Sequence, residues 1–282
     1  MSGPPQAAEP QLGERLGPYR LEAVLGEGGM GIVYRAVQEP DGRVVALKVL
    51  RSELSGDPTY RRRFFRECRI ASTIAHRHLV PVVGAGESDG RPYLASEYVE
   101  GRTLAELLAA DGPLPPAAVV RLAAEIATGL DTLHGERLVH RDVKPSNIIV
   151  STAGTAYLTD FGVARSAAAT VLTTPGHVVG TLEYLAPEVI RGSTAAPAAD
   201  VYSLGCVVYE CLVGAPPHTG RTFVEATLAI LEAEPADPCT SRPELPPQLC
   251  HVVLQALAKH PAERPPTATA YALMLRVSAR AT

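Results

Sequence analysis

Positions 140 to 147 read His140-Arg141-Asp142-Val143-Lys144-Pro145-Ser146-Asn147, and Asp160-Phe161-Gly162 begins thirteen positions after Asn147. One short stretch therefore holds a carboxylate that can act as a base and a cation suited to phosphate. It also supplies, in Asn147 and Asp160, two oxygen-bearing side chains of the hard type that Mg²⁺ prefers. Phosphoryl transfer uses these parts. Its loose transition state leaves a protein little beyond positioning the reactants, holding the metal and neutralising charge.

A second cluster lies near the start, in Gly26-Glu27-Gly28-Gly29-Met30-Gly31 and, seventeen residues after Gly31, Lys48. The glycine spacing alone is weak, since dinucleotide-binding loops share it. Those loops lead from a strand into a helix, whereas Ile32 to Val37 is β-branched and strand-like, so these glycines cap a hairpin. A Walker loop fails because no Gly-Lys-Ser/Thr follows. Flexible glycines let backbone N–H groups approach phosphate oxygens, and an ammonium on a neighbouring strand reaches the same group.

The elements that must carry these clusters change character near residue 100. Residues 1–17, rich in Pro, Ala, Gln and Gly, read as a disordered lead-in. Strands are predicted over Tyr19 to Leu25, Ile32 to Val37 and Arg43 to Leu50, the last after an Asp41-Gly42 turn, and again over Val80 to Val83 and Pro92 to Tyr98. Between them a helix runs from about Asp57 to Ala75, with Asp57 as cap and Pro58 in the first turn. From Thr103 the pattern is nearly all helical. Thr103 caps Leu104 to Ala110 with Glu106 completing a capping box, and helices follow over Pro115 to His134, Pro197 to Val213, Thr222 to Glu232, Pro246 to Lys259 and Thr267 to Ser278. The fold class is α+β, a small β lobe with one helix (18–98) and a larger helical lobe (102–280). A segment at 97–101 joins them, with a ligand cleft between the lobes.

Composition agrees with a soluble globule: 282 residues, 46% hydrophobic, are enough to fill such cores. A formal charge of −4 gives no electrostatic case for nucleic acid or an anionic membrane. The longest apolar run, Val201 to Val213, is broken by Ser203, Gly205 and Glu210 and is too short to span a bilayer, and the first residues lack a signal pattern. The expected location is cytoplasmic. Cys68, Cys206, Cys211, Cys239 and Cys250 are odd in number and irregular in spacing, so reduced structural thiols are expected. His76, His78, His134 and His251 lack metal-ligand spacing and read as structural or solvated.

With the glycine loop, Val45-Ala46-Leu47-Lys48, His140-Arg141-Asp142, Asp160-Phe161-Gly162 and Ala186-Pro187-Glu188 all in order, residues Tyr19 to about Ser278 resemble a eukaryotic-type serine/threonine protein kinase. The run Gly180-Thr181-x-x-Tyr184-Leu185-Ala186-Pro187-Glu188 is most similar to the bacterial members. The resemblance implies a bilobal kinase domain over 18–280 that binds ATP with Mg²⁺ or Mn²⁺ and acts on protein substrates. It implies that Lys48 holds the α and β phosphates and pairs with Glu67, that Asp142 accepts the substrate hydroxyl proton, that Lys144 faces the γ-phosphate, and that Asn147 and Asp160 bind the metal. Nucleotide contacts fall to Leu25, Gly26, Glu27, Gly28, Gly29, Met30, Gly31, Ile32, Val33, Ala46, Ser96, Glu97 and Val99, the last two through their backbones. Lys144 and Thr181 point to serine and threonine as acceptors.

The resemblance extends to regulation. Residues Gly162 to Glu188 match an activation loop whose phosphate would enter a pocket of Arg141 and Arg165. Thr173 and Thr174 are the candidate sites, with Thr170 behind them, and a transient homodimer would perform the autophosphorylation. Pro175 departs from the related bacterial kinases, which often carry a second threonine there. Ser96 departs as well, being small where the family usually has a bulky apolar residue. Glu188 with Arg264 matches a buried ion pair, and Asp200 matches the helix aspartate that holds the His140-Arg141 backbone. A pseudokinase or nucleotide-binding scaffold and a small-molecule phosphotransferase are the alternatives. The first is disfavoured because no catalytic part is missing, the second because Ala-Pro-Glu and the helix after it are present.

Overall fold

The computed structural model describes residues 9–29, 31–39, 41–160, 182–220 and 222–280. It forms two compact units, one from residues 9–75 and 80–99, the other from residues 76–79, 100–160 and 182–280.

The first unit is a six-stranded antiparallel sheet in the order β1-β2-β3-β4-β6-β5, from strands β1 (Arg15–Leu16), β2 (Tyr19–Gly28), β3 (Gly31–Gln38), β4 (Arg43–Leu50), β5 (Val82–Ser88) and β6 (Arg91–Glu97). Strand alternation puts Tyr34, Ala36, Val45, Leu47, Val49 and Ala95 on one face, where they form the core. The short α1 (Ser52–Ser55) precedes α2 (Pro58–Ala71), which starts where the sequence places its signals: Asp57 Oδ1 accepts from the Thr59 N–H at 2.7 Å. Tyr60, Phe64, Cys68 and Ala71 recur at helical spacing and are buried. The helix ends at Ala71, four residues earlier than predicted, because Ser72 and Thr73 turn their hydroxyls back onto the Arg69 and Ile70 carbonyls.

Within the lead-in read as disordered, residues 9–17 are ordered. Leu16 is fully buried in the sheet core and the Pro10 carbonyl accepts from the Tyr34 hydroxyl at 2.9 Å. A single buried leucine and a two-residue strand fall below what composition can reveal.

The second unit departs from the nearly all-helical expectation. A three-stranded antiparallel sheet is formed by β7 (Gly101–Thr103), β8 (Ile148–Ser151) and β9 (Ala156–Leu158), with β8 starting directly after Asn147. Its helices are α3 (Leu104–Asp111), α4 (Pro116–Gly135), α5 (Pro187–Ile190), α6 (Pro197–Val213), α7 (Phe223–Glu232), α8 (Pro238–Ser241), α9 (Pro247–Ala256) and α10 (Ala268–Ser278). The capping box at Thr103 and Glu106 is present in both directions. Helix α6 is buried nearly all round, so it is the axis on which α4, α9 and α10 pack. Among the described residues no helix is long and apolar enough to cross a membrane.

The cysteine reading needs correction. Cys239 and Cys250 form a disulfide, with Cα atoms 5.9 Å apart, that joins α8 to α9. The turn between these helices brings together two residues whose sequence spacing carries no pairing signal. Cys68, Cys206 and Cys211 are buried free thiols, as expected.

Candidate active site

In the first unit, strand register gathers the predicted nucleotide contacts. Val33 pairs with Lys48, Ala46 with Ser96 and Lys48 with Leu94, so Val33, Ala46, Lys48 and Ser96 share the sheet face opposite the core. Ile32 turns the other way and is buried in that core, so its side chain does not join them. The glycine hairpin closes through Gly28 paired with Gly31. A Cβ on Gly31 would meet the Val49 carbonyl oxygen at 2.1 Å, whereas one on Gly26, Gly28 or Gly29 would meet nothing within 4 Å. Gly31 is therefore demanded by the fold, and the others leave open space beside the backbone. Leu25 and Glu27 are exposed, and Met30 lies outside the described residues. Arg51, which sequence reasoning missed, donates from Nε to the Gly28 carbonyl at 3.1 Å and ties the hairpin to the end of β4.

Glu67 is on α2 beside the buried Cys68. Burial first, and then the Glu67 charge, push that thiol up to about 12, while the Lys48 charge pulls it back, so both charges reach one buried site. Glu97 commits its N–H to the Pro81 carbonyl at 2.9 Å and its side chain to Arg43. Val99 follows β6, half-buried.

In the second unit, the His140 to Asn147 stretch lies between α4 and β8. Asp200, at the start of α6, accepts from the His140 N–H and the Arg141 N–H, each at 2.8 Å. Arg141 has φ 68°, a left-handed conformation costly for a side chain of this size, and Asp160 has φ 62°. The His140 ring is fully enclosed: Nδ1 accepts from the Asp142 N–H at 3.2 Å and Nε2 faces the Thr159 carbonyl at 3.0 Å. Burial pushes its pKa down, in keeping with the neutral Nε2–H tautomer these contacts require.

Three side chains then converge. Lys144 Nζ lies 3.0 Å from Asp142 Oδ2, and Asn147 Nδ2 donates to the same oxygen at 2.9 Å and to the Asp142 carbonyl at 2.8 Å. A single 3₁₀ turn, Pro145–Asn147, brings Asn147 back over Asp142. The Thr159 N–H donates to the Asn147 carbonyl at 3.0 Å, so the residue before Asp160 is tied to the backbone of Asn147. With Nδ2 spent on Asp142, Asn147 offers its Oδ1, and Asp160 adds a carboxylate. That donor set is all hard oxygen and fits Mg²⁺ or Mn²⁺. Beside Lys144 a cavity of about 340 Å³ is lined by Leu108, Pro145, Ser146, Tyr184 and Glu210.

Phe161, Gly162, Arg165, Thr170, Thr173, Thr174, Pro175 and Thr181 lie outside the described residues. The predicted scaffold pairs are present: Arg264 with Glu188, and Asp200 with the His140-Arg141 backbone. Sequence reasoning missed Glu125 of α4, whose Oε2 accepts from the Ala156 N–H at 2.7 Å and props β9. It also missed Asp131, which holds the first turn of α10. Both look like ordinary solvated acids on a helix, and only the partner chain segments reveal their use.

Comparison with known proteins gives a consistent picture. The protein kinase domain family profile matches residues 19–273. Serine/threonine-protein kinase PknE of Mycobacterium tuberculosis is 42% identical over 257 residues, covering 91% of this chain and 45% of the relative. PknD of the same species is 42% identical over 259 residues, and PknH of Mycobacterium bovis 39% over 258. The chain spans less than half the length of these relatives. The crystal structure of the Mycobacterium tuberculosis PknI kinase domain superimposes with a TM-score of 0.77 at 29% identity, covering 95% of this chain and 99% of that one.

Proposed function

The chain belongs to the protein kinase domain family, and from that membership we propose that it transfers the γ-phosphoryl group of ATP to serine and threonine hydroxyls of protein substrates. The observation that carries this reading is the fixed Asp142 carboxylate, with Lys144 and Asn147 both bonded to Oδ2. A base held by one cationic and one amide donor keeps one orientation, and Lys144 beside it would answer the charge that develops on the transferring group. Asn147 and Asp160 would hold Mg²⁺ or Mn²⁺, whose bound charge neutralises the phosphates. The glycine hairpin, with open space beside Gly26, Gly28 and Gly29, suits backbone approach to phosphate oxygens. The cavity beside Lys144 gives a polypeptide acceptor room to lie against the catalytic loop.

Regulation by phosphate is part of the same proposal. Arg141 and Arg165 would receive a phosphate on Thr173 or Thr174, with Thr170 behind, added in a transient homodimer. A Thr173→Ala/Thr174→Ala variant that kept full activity, together with mass spectra free of phosphate in 162–188, would remove this part.

The activity itself is tested by Mg-ATP-dependent labelling of a generic protein substrate. Labelling should fall by about 10²–10⁴-fold in Asp142→Asn and be lost in Asp160→Ala, with unchanged melting of both variants. Nucleotide binding without labelling would favour a scaffold, and labelling of metabolites alone a small-molecule phosphotransferase.

A further inference from the structure

The ring of His134, in the last turn of α4, stands between two carboxylates. Its Nε2 donates to Asp200 Oδ2 at 2.7 Å, and its Nδ1 lies 3.7 Å from Asp131 Oδ1, one turn earlier on the same helix. Neither acid is a dead end. Asp131 accepts from the Ala268 and Thr269 N–H groups, both at 3.0 Å, and from the Thr269 hydroxyl. Those N–H groups belong to the first turn of α10 and have no partner within their own helix. Thr267 Oγ1 takes the next one, from Ala270, at 3.0 Å. On the other side, the fully buried Asp200 accepts from the His140 and Arg141 N–H groups. An unbroken series of contacts therefore runs from the first turn of α10, through Asp131, His134 and Asp200, to the backbone just before Asp142.

We infer that His134 is a positioning residue for the catalytic loop, and that through Asp131 it makes the hold on that loop depend on how α10 is seated. Asp200 is a carboxylate with no exposed surface, and a buried anion is tolerated only while its partners remain. The His140 and Arg141 amides supply dipoles, and the His134 ring supplies the compensating charge. Without that charge the carboxylate loses its strongest partner, and the left-handed Arg141 backbone loses the rigidity of its anchor. Asp131 keeps the ring turned and charged, but only while its own oxygens are fixed by α10.

The charged groups facing the ring are few. Asp131 lies on its own helix and Asp200 on α6; α10 presents backbone N–H groups and the Thr269 hydroxyl to Asp131. His140, the next titratable group, enters through its amide on Asp200. Burial pushes the His134 pKa down, but the bonds and charges of the two carboxylates outweigh this and raise it to about 9. The ring is then charged at neutral pH and discharges above that value.

The inference deepens the kinase reading, on which it rests only in naming Asp142 as the group positioned. Its test is hydrogen exchange by NMR at the His140 and Arg141 amides, with α2 amides as reference. The wild type is followed from pH 7 to 10, and Asp131→Asn and His134→Gln are followed at pH 7.5. Protection of the two amides should fall roughly tenfold as the pH passes 9, and by a similar factor in both variants. In Asp131→Asn the alkaline fall should move to lower pH. The kcat for phosphoryl transfer should drop in step, with little change in KM for ATP. Loss of protection confined to α10, with the loop amides unchanged, would overturn the inference. If His134→Gln does not fold, the wild-type pH series and Asp131→Asn decide. Failure of the kinase reading is separable: loop amides that loosen as described in a protein without phosphoryl transfer would sink that reading alone.

Discussion

Arg264 holds Glu188, 76 positions earlier, with two parallel bonds: Nη1 to Oε1 at 2.7 Å and Nη2 to Oε2 at 2.8 Å. Its remaining donors reach the Ala258, Ala198 and Lys259 carbonyls, so all of the guanidinium's N–H groups are used, and its Cζ lies 4.9 Å from the Tyr202 ring centroid. Lysine keeps the charge but not the fork. Arg264→Lys is expected to cost about 1–3 kcal/mol, read as a lower urea midpoint, with activity lost in proportion to the unfolded fraction. A variant of unchanged stability would show that the bidentate geometry contributes nothing.

Two glycines of one hairpin should behave differently. Gly31→Ala drives a Cβ into the Val49 backbone and should cost about 1–3 kcal/mol in thermal or urea unfolding. Gly28→Ala meets no protein atom, so its stability should stay near wild type while KM for ATP rises. Equal effects on stability would contradict the contrast.

The disulfide closes a short loop, Cys250 following Cys239 by eleven positions. Chain-entropy reasoning gives such a crosslink about 3 kcal/mol. A Cys239→Ser/Cys250→Ser variant, or the wild type in reductant, should therefore melt several degrees lower. Identical melting curves with and without reductant would show the crosslink to be energetically silent.

Ser96 pairs across the sheet with Ala46 and Val82, and its immediate neighbour Ala46 is smaller still. Neither strand partner of Ser96 is larger than valine. ATP-competitive inhibitors with large substituents should inhibit the wild type, and Ser96→Met should weaken them at least about tenfold, on the order of 1.4 kcal/mol, while KM for ATP changes little. Unchanged inhibition would mean that the space is filled by other side chains.

Stability should also carry the signature of His134. Its pKa is raised in the folded state to about 9 from an ordinary 6.5, so its stabilisation is complete below pH 6.5 and is lost as the pH rises through 9. Asp131 is shifted the other way, to about 2, as the bonds from His134, Thr269 and Ala268 outweigh burial; its contribution is present above about 3.8 and is lost as the pH falls through 2. The His134 effect is on the order of 3 kcal/mol. Urea midpoints that fall between pH 7.5 and 10 in the wild type, but fall less in His134→Gln, would match it.

The sequence by itself determined what depends on residue type and short spacing. The His140–Asn147 octet, the glycine hairpin, the Asp57 cap and the Thr103–Glu106 capping box are all local, and the hairpin, the cap and the capping box form as read because their physics is complete within a few residues. The resemblance reached further, to Arg264 with Glu188 and to Asp200, since a family pattern stores long-range pairings that spacing does not. What remained was decided by contacts between segments far apart in the chain. The Cys239–Cys250 bond, the burial of Leu16, the prop from Glu125 and the Asp131–His134–Asp200 series each join groups that look unremarkable alone. A carboxylate on a helix surface and one that holds the His140–Arg141 backbone are the same residue type in the sequence. Only the packed structure removes the water from one of them and leaves its charge to be answered by a particular neighbour.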